Sequence, residues 1–317
     1  MIRLRGISVA TALLADTILG EPPEAVHPAV LMGRSISAFE KRALALNDIR
    51  LLRLTGLSLA VMLPVLSFAF SRIVVRLAPQ KLRRFFEVVL LSTTLSMRGL
   101  SRAALAVERD LRKGELDTAR ARVGQLVGRD TAGLPPSEIS RAAVESVAEN
   151  TSDGIIAPML YGILFGAPGA LAYKAINTLD SMAGHPQPPY KDFGWASARL
   201  DDLANLLPAR LTALSVALVS GSVNGAAATL HTAYRYGPLT RSPNAGWTEA
   251  AFAGSLGLRL GGANSYCGVF RPGPTLGAGR PPEAVDIRRS VHLMRRACLL
   301  FAVFALAATP ARGHAGD

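Results

Sequence analysis

The chain has 317 residues, half of them hydrophobic and 18% charged, and its formal net charge is +12. This composition is more apolar than that of most soluble domains and favours a membrane protein, with a large soluble helical protein as the alternative. The lysines and arginines lie mainly between apolar runs, which is typical of positive-inside loops and not of a nucleic-acid-binding face. Cys267 and Cys298 lack the spacing of a metal or redox motif.

The N-terminal segment is similar to a signal peptide, because two arginines precede an apolar run. The run ends in Asp16 without a small-residue cleavage site, so we predict a retained helix over residues 7–19. Prolines then stiffen the turn GEPPEAVHP. Asp16 and His27 flank this turn, and the sequence favours helix-end capping and a functional role for them equally.

The next segments predict helices in or at a membrane. Residues 34–53 have the pattern of a basic amphipathic helix at the membrane edge. Residues 54–75 are the strongest transmembrane candidate, since about 18 residues without a charge precede Arg72. Pro64 should kink this helix, which membrane helices tolerate. A shorter second span is predicted at 85–97.

The middle of the chain alternates between soluble and apolar patterns. Residues 98–132 predict two soluble helices separated at Gly114, because charged and apolar residues recur at helical spacing. Ser137 is a candidate N-cap for the next helix. Residues 155–173 are apolar but interrupted by Pro and Gly, so they predict one span, two half-helices or a re-entrant segment.

The last third of the chain begins with a predicted apolar helix over residues 203–222. Residues 223–295 are polar and rich in Gly and Pro, with a loop at 268–282 and a basic helix at 283–296. The apolar segment 297–309 is short for a full span unless the arginines before it snorkel. No segment shows the period-two alternation of a half-buried strand.

Together these elements predict an all-α, polytopic integral membrane protein with about four or five transmembrane helices. Broken or re-entrant helices and helical extramembrane segments complete the expected fold. We expect a single membrane-embedded domain over residues 1–317, with a soluble helical insertion at about 98–140 and a Gly/Pro-rich polar segment at about 223–296. Basic residues flank the 54–75 span on both sides, so charge does not decide its orientation.

Residues 141–210 combine ionisable groups with membrane-grade apolar segments, a combination that by default indicates a functional site facing protein or water. The first polar group lies along one helix face, because four of its members recur every fourth residue: Arg141, Glu145, Glu149 and Asp153, with Asn150 beside them. The alternative is a row of ion pairs on a solvated face, which suits Arg141 and Glu145. Glu149 and Asp153 lack a basic partner at helical spacing, so Mg²⁺ or a substrate amine would supply the counter-charge.

A second polar group follows the apolar segment 155–173 and contains Lys174, Asn177, Asp180 and His185. Lys174 has the alternative role of a snorkelling anchor at the end of a span. Asn177 and Asp180, at i and i+3, are suited either to hydrogen bonding and metal ligation or to an ordinary helix surface.

The third polar group precedes the next apolar helix and contains Arg199, Asp201, Asp202, Asn205 and Arg210. Its carboxylate and amide oxygens suit Mg²⁺, and its arginines suit phosphate or carboxylate. The alternative is capping of a helix N-terminus, where the dipole favours acids. The sequence contains no Walker A, HExxH, GxSxG or GxGxxG motif. Spacing alone therefore predicts a polar site at a membrane surface with a divalent cation and an anionic ligand.

Six blocks of the chain resemble the CobD/CbiB family of adenosylcobinamide-phosphate synthases of cobalamin biosynthesis. They are GEPPEAVHP, VGRDT, ESVAENTSDGIIAPMLYG, YKAINTLDSMAGH, FGWASARLDDLANLLPARLTAL and SPNAGWTEAAFAGSLGLRLGGANSY. The blocks occur in the family's order and cover nearly the whole chain. The linker HPQPPYKDFG departs from the family by being richer in proline and less charged, which affects loop contacts only.

The resemblance implies a membrane enzyme that joins (R)-1-aminopropan-2-ol O-phosphate, or aminopropanol, to the propionate carboxylate of adenosylcobyric acid. ATP and Mg²⁺ are the implied cofactors, because a carboxylate is a poor acyl donor until it is converted to an acyl phosphate. A multi-pass protein of the inner cell membrane, with its site on the cytoplasmic side where ATP is supplied, is expected. The expected partners are these small molecules and membrane lipid, without nucleic acid; homo-oligomers and complexes with other corrinoid enzymes are left open.

We assign roles, as hypotheses, to positions that match the family's motifs. The catalytic candidates are Glu149, Asp153, Asn177 and Asp180, with Glu149 deprotonating the amine. The metal candidates are Asp201 and Asp202. The candidates for binding substrate and phosphate are Glu145, Asn150, Lys174, His185, Arg199, Arg210 and Asn244. All should converge on one pocket, on the order of a few hundred cubic ångströms in volume. A corrinoid-binding membrane transporter and a non-catalytic membrane scaffold are the alternative functions.

Overall fold

A computed structural model of the chain describes residues 2–23, 25, 27–45, 48–185 and 190–307. The helices in these ranges are α1 (Ile2–Leu19), α2 (Pro28–Ala43), α3 (Ile49–Leu77), α4 (Arg83–Ser92), α5 (Met97–Arg112), α6 (Leu116–Gly124), α7 (Pro136–Thr151), α8 (Ala157–Phe165), α9 (Ala167–Ala183), α10 (Tyr190–Phe193), α11 (Trp195–Leu218), α12 (Val223–Tyr236), α13 (Ala245–Leu256) and α14 (Ala284–Ala307). A π-helical turn, Ser152–Ile156, follows α7, and a 3₁₀ turn, Gly237–Leu239, follows α12. The expected helical fold class is confirmed.

Four short strands accompany the helices in the described part of the chain. They are β1 (Leu260–Gly261), β2 (Asn264–Tyr266), β3 (Val269–Arg271) and β4 (Thr275–Leu276). β1 pairs antiparallel with β4, and β2 pairs antiparallel with β3. The sequence did not reveal them, because a strand of two or three residues is too short to show alternation.

The chain divides into two compact units. The first contains the chain up to Ser96, the segment Ala157–Ala204 and the chain from Phe301 onward. The second contains Met97–Ile156 and Asn205–Leu300. The predicted soluble insertion and the Gly/Pro-rich segment therefore both contribute to the second unit.

The first unit is built around α3, which packs along α9 and against α10. Its core includes the buried side chains of Ile36, Leu59, Leu179 and Phe193. Gly56 permits the close approach of α3 to α10, since a Cβ atom at this position would lie 1.9 Å from the carbonyl oxygen of Phe193. The glycine is required here by a backbone contact and not by an unusual φ angle.

Two of the described helices, α3 and α14, are long and apolar enough to cross a membrane. α3 contains the predicted span 54–75, with Pro64 inside the helix. α14 (Ala284–Ala307) combines in one helix most of the segments 283–296 and 297–309, which were predicted as separate; residues 308 and 309 lie outside the described residues. Exposed apolar side chains recur on α3 every three or four residues: Leu54, Leu57, Val61, Val65. Such a stripe fits association with a membrane; the predicted number of four or five spans is not confirmed.

Three boundaries predicted from the sequence were wrong. The helix predicted over 34–53 is divided between α2 and α3, and Asp48 caps the start of α3 by accepting a backbone hydrogen bond. The span predicted at 85–97 is the ten-residue α4, which is too short to cross a bilayer. Ser137 is not an N-cap, because α7 already begins at Pro136, a position that suits a residue without an N–H.

Two predicted interruptions are confirmed, and both fall on glycines with left-handed backbones. Gly114 separates α5 from α6 with a φ of 77°, and Gly166 separates α8 from α9 with a φ of 74°. Residues without a side chain adopt such angles at no steric cost. The apolar segment 155–173 is thus two half-helices that meet at Gly166.

Gly56→Ala should destabilise the first unit, because its new methyl group overlaps the Phe193 carbonyl and forces α3 away from α10. Overpacking of this kind costs about 1–3 kcal/mol. We expect a lower melting temperature for the purified variant in detergent. Gly133→Ala is the matched control, since a Cβ atom there meets no atom within 4 Å. Equal melting temperatures for the two variants would contradict the packing of α3 on α10.

Candidate functional site

A cavity of about 280 Å³ lies within the second unit. Its walls come from the loop before α7, the inner face of α7, α13 and the glycine-rich segment around β1 to β4. The charged and amide side chains that line it are Arg129, Glu145, Glu149, Glu249 and Asn264. The volume is at the lower end of the range for small-molecule sites, about 300–1,000 Å³.

Helix α7 supplies two of these acids because residues four apart share one helix face. Arg141 and Glu145 form the ion pair that their spacing predicted, with Arg141 Nη1 3.1 Å from Glu145 Oε1. Both side chains are buried, so the solvated face expected for this pair was wrong. Glu149 lies one turn further along the same face and is exposed where it lines the cavity.

The π-helical turn explains why the row of acids does not continue to Asp153. Turns of this kind are wider than α-helical turns and often occur at functional sites. Asp153 lies inside the turn and so departs from the regular four-residue repeat. Asn150, just before the turn, donates from Nδ2 to the Ser146 carbonyl at 2.9 Å, which uses part of its amide within the helix.

Arg141 fixes the position of residues 261–264, here called the glycine loop, which forms one wall of the cavity. Its guanidinium donates to the carbonyl oxygens of Gly261 and Ala263 and to Asn264 Oδ1, as well as to Glu138 and Glu145. Glu145 in turn accepts from the Gly261 N–H at 2.7 Å. A buried ion pair is stable only when its remaining donors and acceptors are satisfied in this way.

Arg129 is the second buried guanidinium of the cavity, and its side chain is only 6% exposed. Nη1 donates to Glu145 Oε2 at 2.7 Å and to Asn264 Oδ1 at 2.6 Å. Nε and Nη2 are buried and have no hydrogen-bond partner among the described residues. Sequence reasoning assigned no role to Arg129, although it lies in the block VGRDT that carried the family resemblance.

Glu249 lies on α13, lines the cavity and is surrounded by apolar residues in sequence. Burial raises the pKa of Glu249 well above its usual value, and the charges of Glu145 and Glu149 raise it further, with partial opposition from Arg129 and Arg141. The side chain therefore keeps its proton to a higher pH than an exposed glutamate does. Glu249 is the single charged residue of α13, a pattern that indicates a buried acid, but it was not selected as a site residue from the sequence.

Glu249→Gln should change how stability depends on pH. Because the pKa of Glu249 is raised in the folded chain, its contribution to stability is complete below 4.5, the ordinary value, and is lost as the pH rises through the folded-state pKa. Glutamine does not titrate, so the variant does not lose stability in this way as the pH rises. We therefore expect the melting temperature of the variant minus that of the wild type to increase from pH 5 to pH 8. A difference that stays constant over this range would contradict a raised pKa.

The first unit contains a separate acidic cluster at the end of α9 and the start of α11. Burial, then the charge of Asp202, raise the pKa of Asp180 to about 6, and His185 opposes the shift. Arg199 Nη1 lies 3.5 Å from Asp202 Oδ2. Burial also raises the pKa of Asp202, against the effect of Arg199. These carboxylates repel one another and attract a cation.

Asp201 precedes Asp202 on α11, and adjacent residues of a helix point about 100° apart around its axis. It interacts electrostatically with Tyr161 of α8, whereas Asp202 interacts with Asp180. The charge of Asp202 thus acts on Asp180, and the pairing of Asp201 with Asp202 on one metal stays a prediction.

Asp180 and Asp202 fit a magnesium ion in their chemistry. Among the described residues no three His, Cys, Asp or Glu side chains are arranged to enclose a metal. Mg²⁺ does not need such an enclosure, since it is usually held by one or two carboxylates together with waters and substrate phosphates. Asp180, whose pKa is raised first by burial and then by the charge of Asp202, provides with Asp202 the two carboxylates of such a site.

Lys174 lines another cavity of the first unit, about 390 Å³ in volume, together with His27 and Glu21. His27 Nδ1 accepts from the Ala29 N–H at 3.1 Å, so its capping role is confirmed. Burial lowers the pKa of His27; Glu21 opposes this effect and Lys174 adds to it. His27 is therefore both a helix cap and part of a cavity wall.

Arg210 and Asn244 are brought together in the second unit, where Arg210 Nη1 donates to Asn244 Oδ1 at 2.8 Å. The guanidinium also stacks on Trp247, 4.7 Å from the ring centre. In the first unit, Asn177 is half-buried on α9, and the exposed His185 packs edge-on against Tyr190.

The predicted residues are thus grouped in pairs: Glu145 with Glu149, Asp180 with Asp202, and Arg210 with Asn244. The first and third pairs belong to the second unit, and the middle pair belongs to the first. Their convergence on one pocket stays a prediction.

These features define a helical protein with two candidate membrane spans and a charged small-molecule cavity. The chain belongs to the CobD/CbiB family: the family described as CobD/Cbib protein matches residues 9–294. The chain is 43% identical over 291 residues to the cobalamin biosynthesis protein CobD of Klebsiella pneumoniae, covering 89% of this chain and 91% of the relative.

Two further relatives extend the similarity to almost the full length. The chain is 43% identical over 313 residues to CobD of Geobacter metallireducens, covering 96% and 97% of the two chains. It is 41% identical over 306 residues to the cobalamin biosynthesis protein CbiB of Salmonella typhimurium, covering 94% and 95%. No solved structure matches the chain.

Proposed function

We propose that this cobalamin biosynthesis protein forms the amide bond of adenosylcobinamide phosphate. The amine of (R)-1-aminopropan-2-ol O-phosphate, or of aminopropanol, joins the propionate carboxylate of adenosylcobyric acid. Membership in the CobD/CbiB family supports this reaction. The observation that assigns the reaction to a site is the cavity of the second unit, where Glu149 and Glu249 both line the wall and the pKa of Glu249 is raised well above its usual value.

The cavity suits the amine end of such a substrate. An alkylammonium ion enters an environment of carboxylates readily, and it must lose a proton before its nitrogen can attack. Glu149 is exposed to the cavity and is the candidate base. Glu249 is its neighbour, and the raised pKa of Glu249 favours the protonated form, which limits the negative charge in the cavity.

The reaction proceeds in two steps. In the first, the γ-phosphoryl group of ATP is transferred to a carboxylate oxygen of adenosylcobyric acid, giving an acyl phosphate and ADP. In the second, the amine nitrogen attacks the acyl carbon, the C–N bond forms and the C–O bond to phosphate breaks, so that phosphate leaves with the electron pair. Glu149 takes the proton released by the nitrogen.

Asp202 and Asp180 are proposed as the residues that hold Mg²⁺. The sequence alone named Asp201 and Asp202 for this role, with Asp153 as an additional candidate. When bound, the ion would neutralise charge on the transferring phosphate. Arg199 lies beside Asp202 and is exposed, so it is free to rotate toward a phosphate oxygen. Lys174, Arg210 and Asn244 are proposed to bind other parts of the substrates.

The proposed setting is the inner cell membrane. A multi-pass topology with the site on the cytoplasmic side fits the supply of ATP, and the exposed apolar stripe of α3 fits contact with lipid. Substrates of the cobalamin pathway are the proposed small-molecule partners.

The reaction can be tested with purified protein, adenosylcobyric acid, ATP, Mg²⁺ and aminopropanol phosphate, with the product read by mass. We expect the mass of adenosylcobinamide phosphate and one ADP per amide formed. A transporter or scaffold would give no product under these conditions, and a transporter would instead move corrinoid into sealed vesicles.

Glu149→Gln should lower kcat at least tenfold, because the amide is isosteric with the carboxylate but cannot accept the proton. Glu115→Gln is the matched control, since Glu115 lies on the surface of the same unit with its side chain 48% exposed. Activity should be recovered in part at high pH, where the amine is already neutral. Wild-type turnover by Glu149→Gln at neutral pH would exclude Glu149 as the base.

Asp202→Asn should abolish product formation and leave the protein inserted and folded. The substitution removes one of the two carboxylate charges that would hold Mg²⁺ but preserves the size of the side chain. Raised Mg²⁺ should rescue part of the activity. Unchanged turnover and Mg²⁺ dependence in this variant would remove Asp202 from the metal site.

A further inference from the structure

We propose that Arg129 forms an oxyanion subsite in the cavity of the second unit and binds the phosphate group of the phosphorylated amine substrate. This assignment rests on the function proposed above, and it adds to that function the residue that recognises the phosphate. Every ligand group that could occupy this subsite is an anion with two oxygen atoms that can accept parallel hydrogen bonds.

The first argument is the set of hydrogen-bond donors that the fold leaves unused. A guanidinium presents five N–H donors in a planar arrangement. Nη1 of Arg129 is bound to Glu145 and Asn264, whereas Nε and Nη2 are buried without a partner among the described residues. Buried donors in native proteins are nearly always satisfied, so donors that the protein leaves without a partner are available to a water, an ion or a ligand.

Arg141 provides the comparison within the same cluster. It contacts two of the same partners, Glu145 and Asn264, yet all three of its guanidinium nitrogens donate to protein oxygens. The cluster can therefore provide protein acceptors for every nitrogen of a buried guanidinium. The unpartnered donors are therefore specific to Arg129 and are not shared by the other buried arginine of this cluster.

The geometry of the unused edge determines the kind of ligand. Nε and Nη2 lie on one side of the guanidinium, and their N–H groups can donate in parallel to two oxygens of a phosphate or carboxylate. A lysine ammonium cannot reproduce this arrangement. Because Nη1 remains held by Glu145 and Asn264, the guanidinium plane is fixed before the ligand arrives.

The rest of the cavity favours a small ligand with two opposite charges. Arg129 lines the same cavity as Glu149, so an anionic group and a cationic group have complementary partners there. The volume of about 280 Å³ suits a compact molecule, and it is small for a nucleotide or a corrinoid. An amino alcohol phosphate has the required size and both charges. The phosphate of ATP and the corrinoid carboxylate are the other sources of an oxyanion, and the experiment separates them.

The binding test uses purified protein in detergent, without ATP or corrinoid, and inorganic phosphate as the probe. Phosphate should raise the melting temperature of the wild type in a saturable manner, because a ligand that binds the folded state stabilises it. Arg129→Lys keeps the positive charge next to Glu145 but loses the parallel donors, and its apparent affinity for phosphate should fall at least tenfold. Arg129→Gln, a second variant without charge, should lose the effect entirely.

Arg112→Lys is the matched control, because Arg112 lies on the surface of the same unit with its side chain 62% exposed. It should retain the response of the wild type. An equal phosphate response in the wild type and both Arg129 variants would overturn the subsite. This readout needs no turnover, so it can succeed or fail independently of the proposed reaction.

The kinetic test identifies the source of the oxyanion. Arg129→Lys should raise KM for aminopropanol phosphate at least tenfold, with little change in KM for unphosphorylated aminopropanol or for ATP. A rise in KM for ATP alone, or for adenosylcobyric acid alone, would overturn the assignment to the phosphorylated amine. Equal losses in kcat for both amines with unchanged KM values would do the same, because they would indicate a structural role.

Discussion

The carboxylate of Glu145 is the interaction on which the second unit depends. It accepts hydrogen bonds from Arg129, from Arg141 and from the backbone of Gly261, and it is buried. One side chain thus joins α7, the loop before it and the glycine loop. A buried carboxylate with two guanidinium partners is strongly destabilised if one partner is removed, because the remaining charge is left without compensation. The cluster therefore connects three of the segments that line the cavity.

The same cluster controls the charge inside the cavity. Glu145 is buried in ion pairs with two arginines, whereas Glu149 is exposed and accessible to a ligand. Glu249 is close enough to both acids for their charges to raise its pKa. Titratable groups whose environments separate their pKa values are a common feature of catalytic sites. The cavity therefore offers an exposed acid, an acid with a raised pKa and a partly unsatisfied arginine to a small molecule.

The first unit contains different chemistry. Asp180 and Asp202 come from helices separated in sequence, and their mutual repulsion is only partly relieved by Arg199 and His185. Its cavity beside His27 and Lys174 adds a second polar surface.

Periodicity and composition by themselves determined the helical class, the span within α3, the breaks at Gly114 and Gly166, and the pairing of Arg141 with Glu145, because each depends on contacts between near neighbours in sequence. The family resemblance was equally a property of the sequence. Only the tertiary structure decided that Arg129 and Glu249 line the cavity and that the charge of Asp202 acts on Asp180. These outcomes depend on long-range packing: residue 129 meets residue 264 across more than a hundred positions. The charge and burial that a side chain experiences are set by such neighbours, and no local pattern records them.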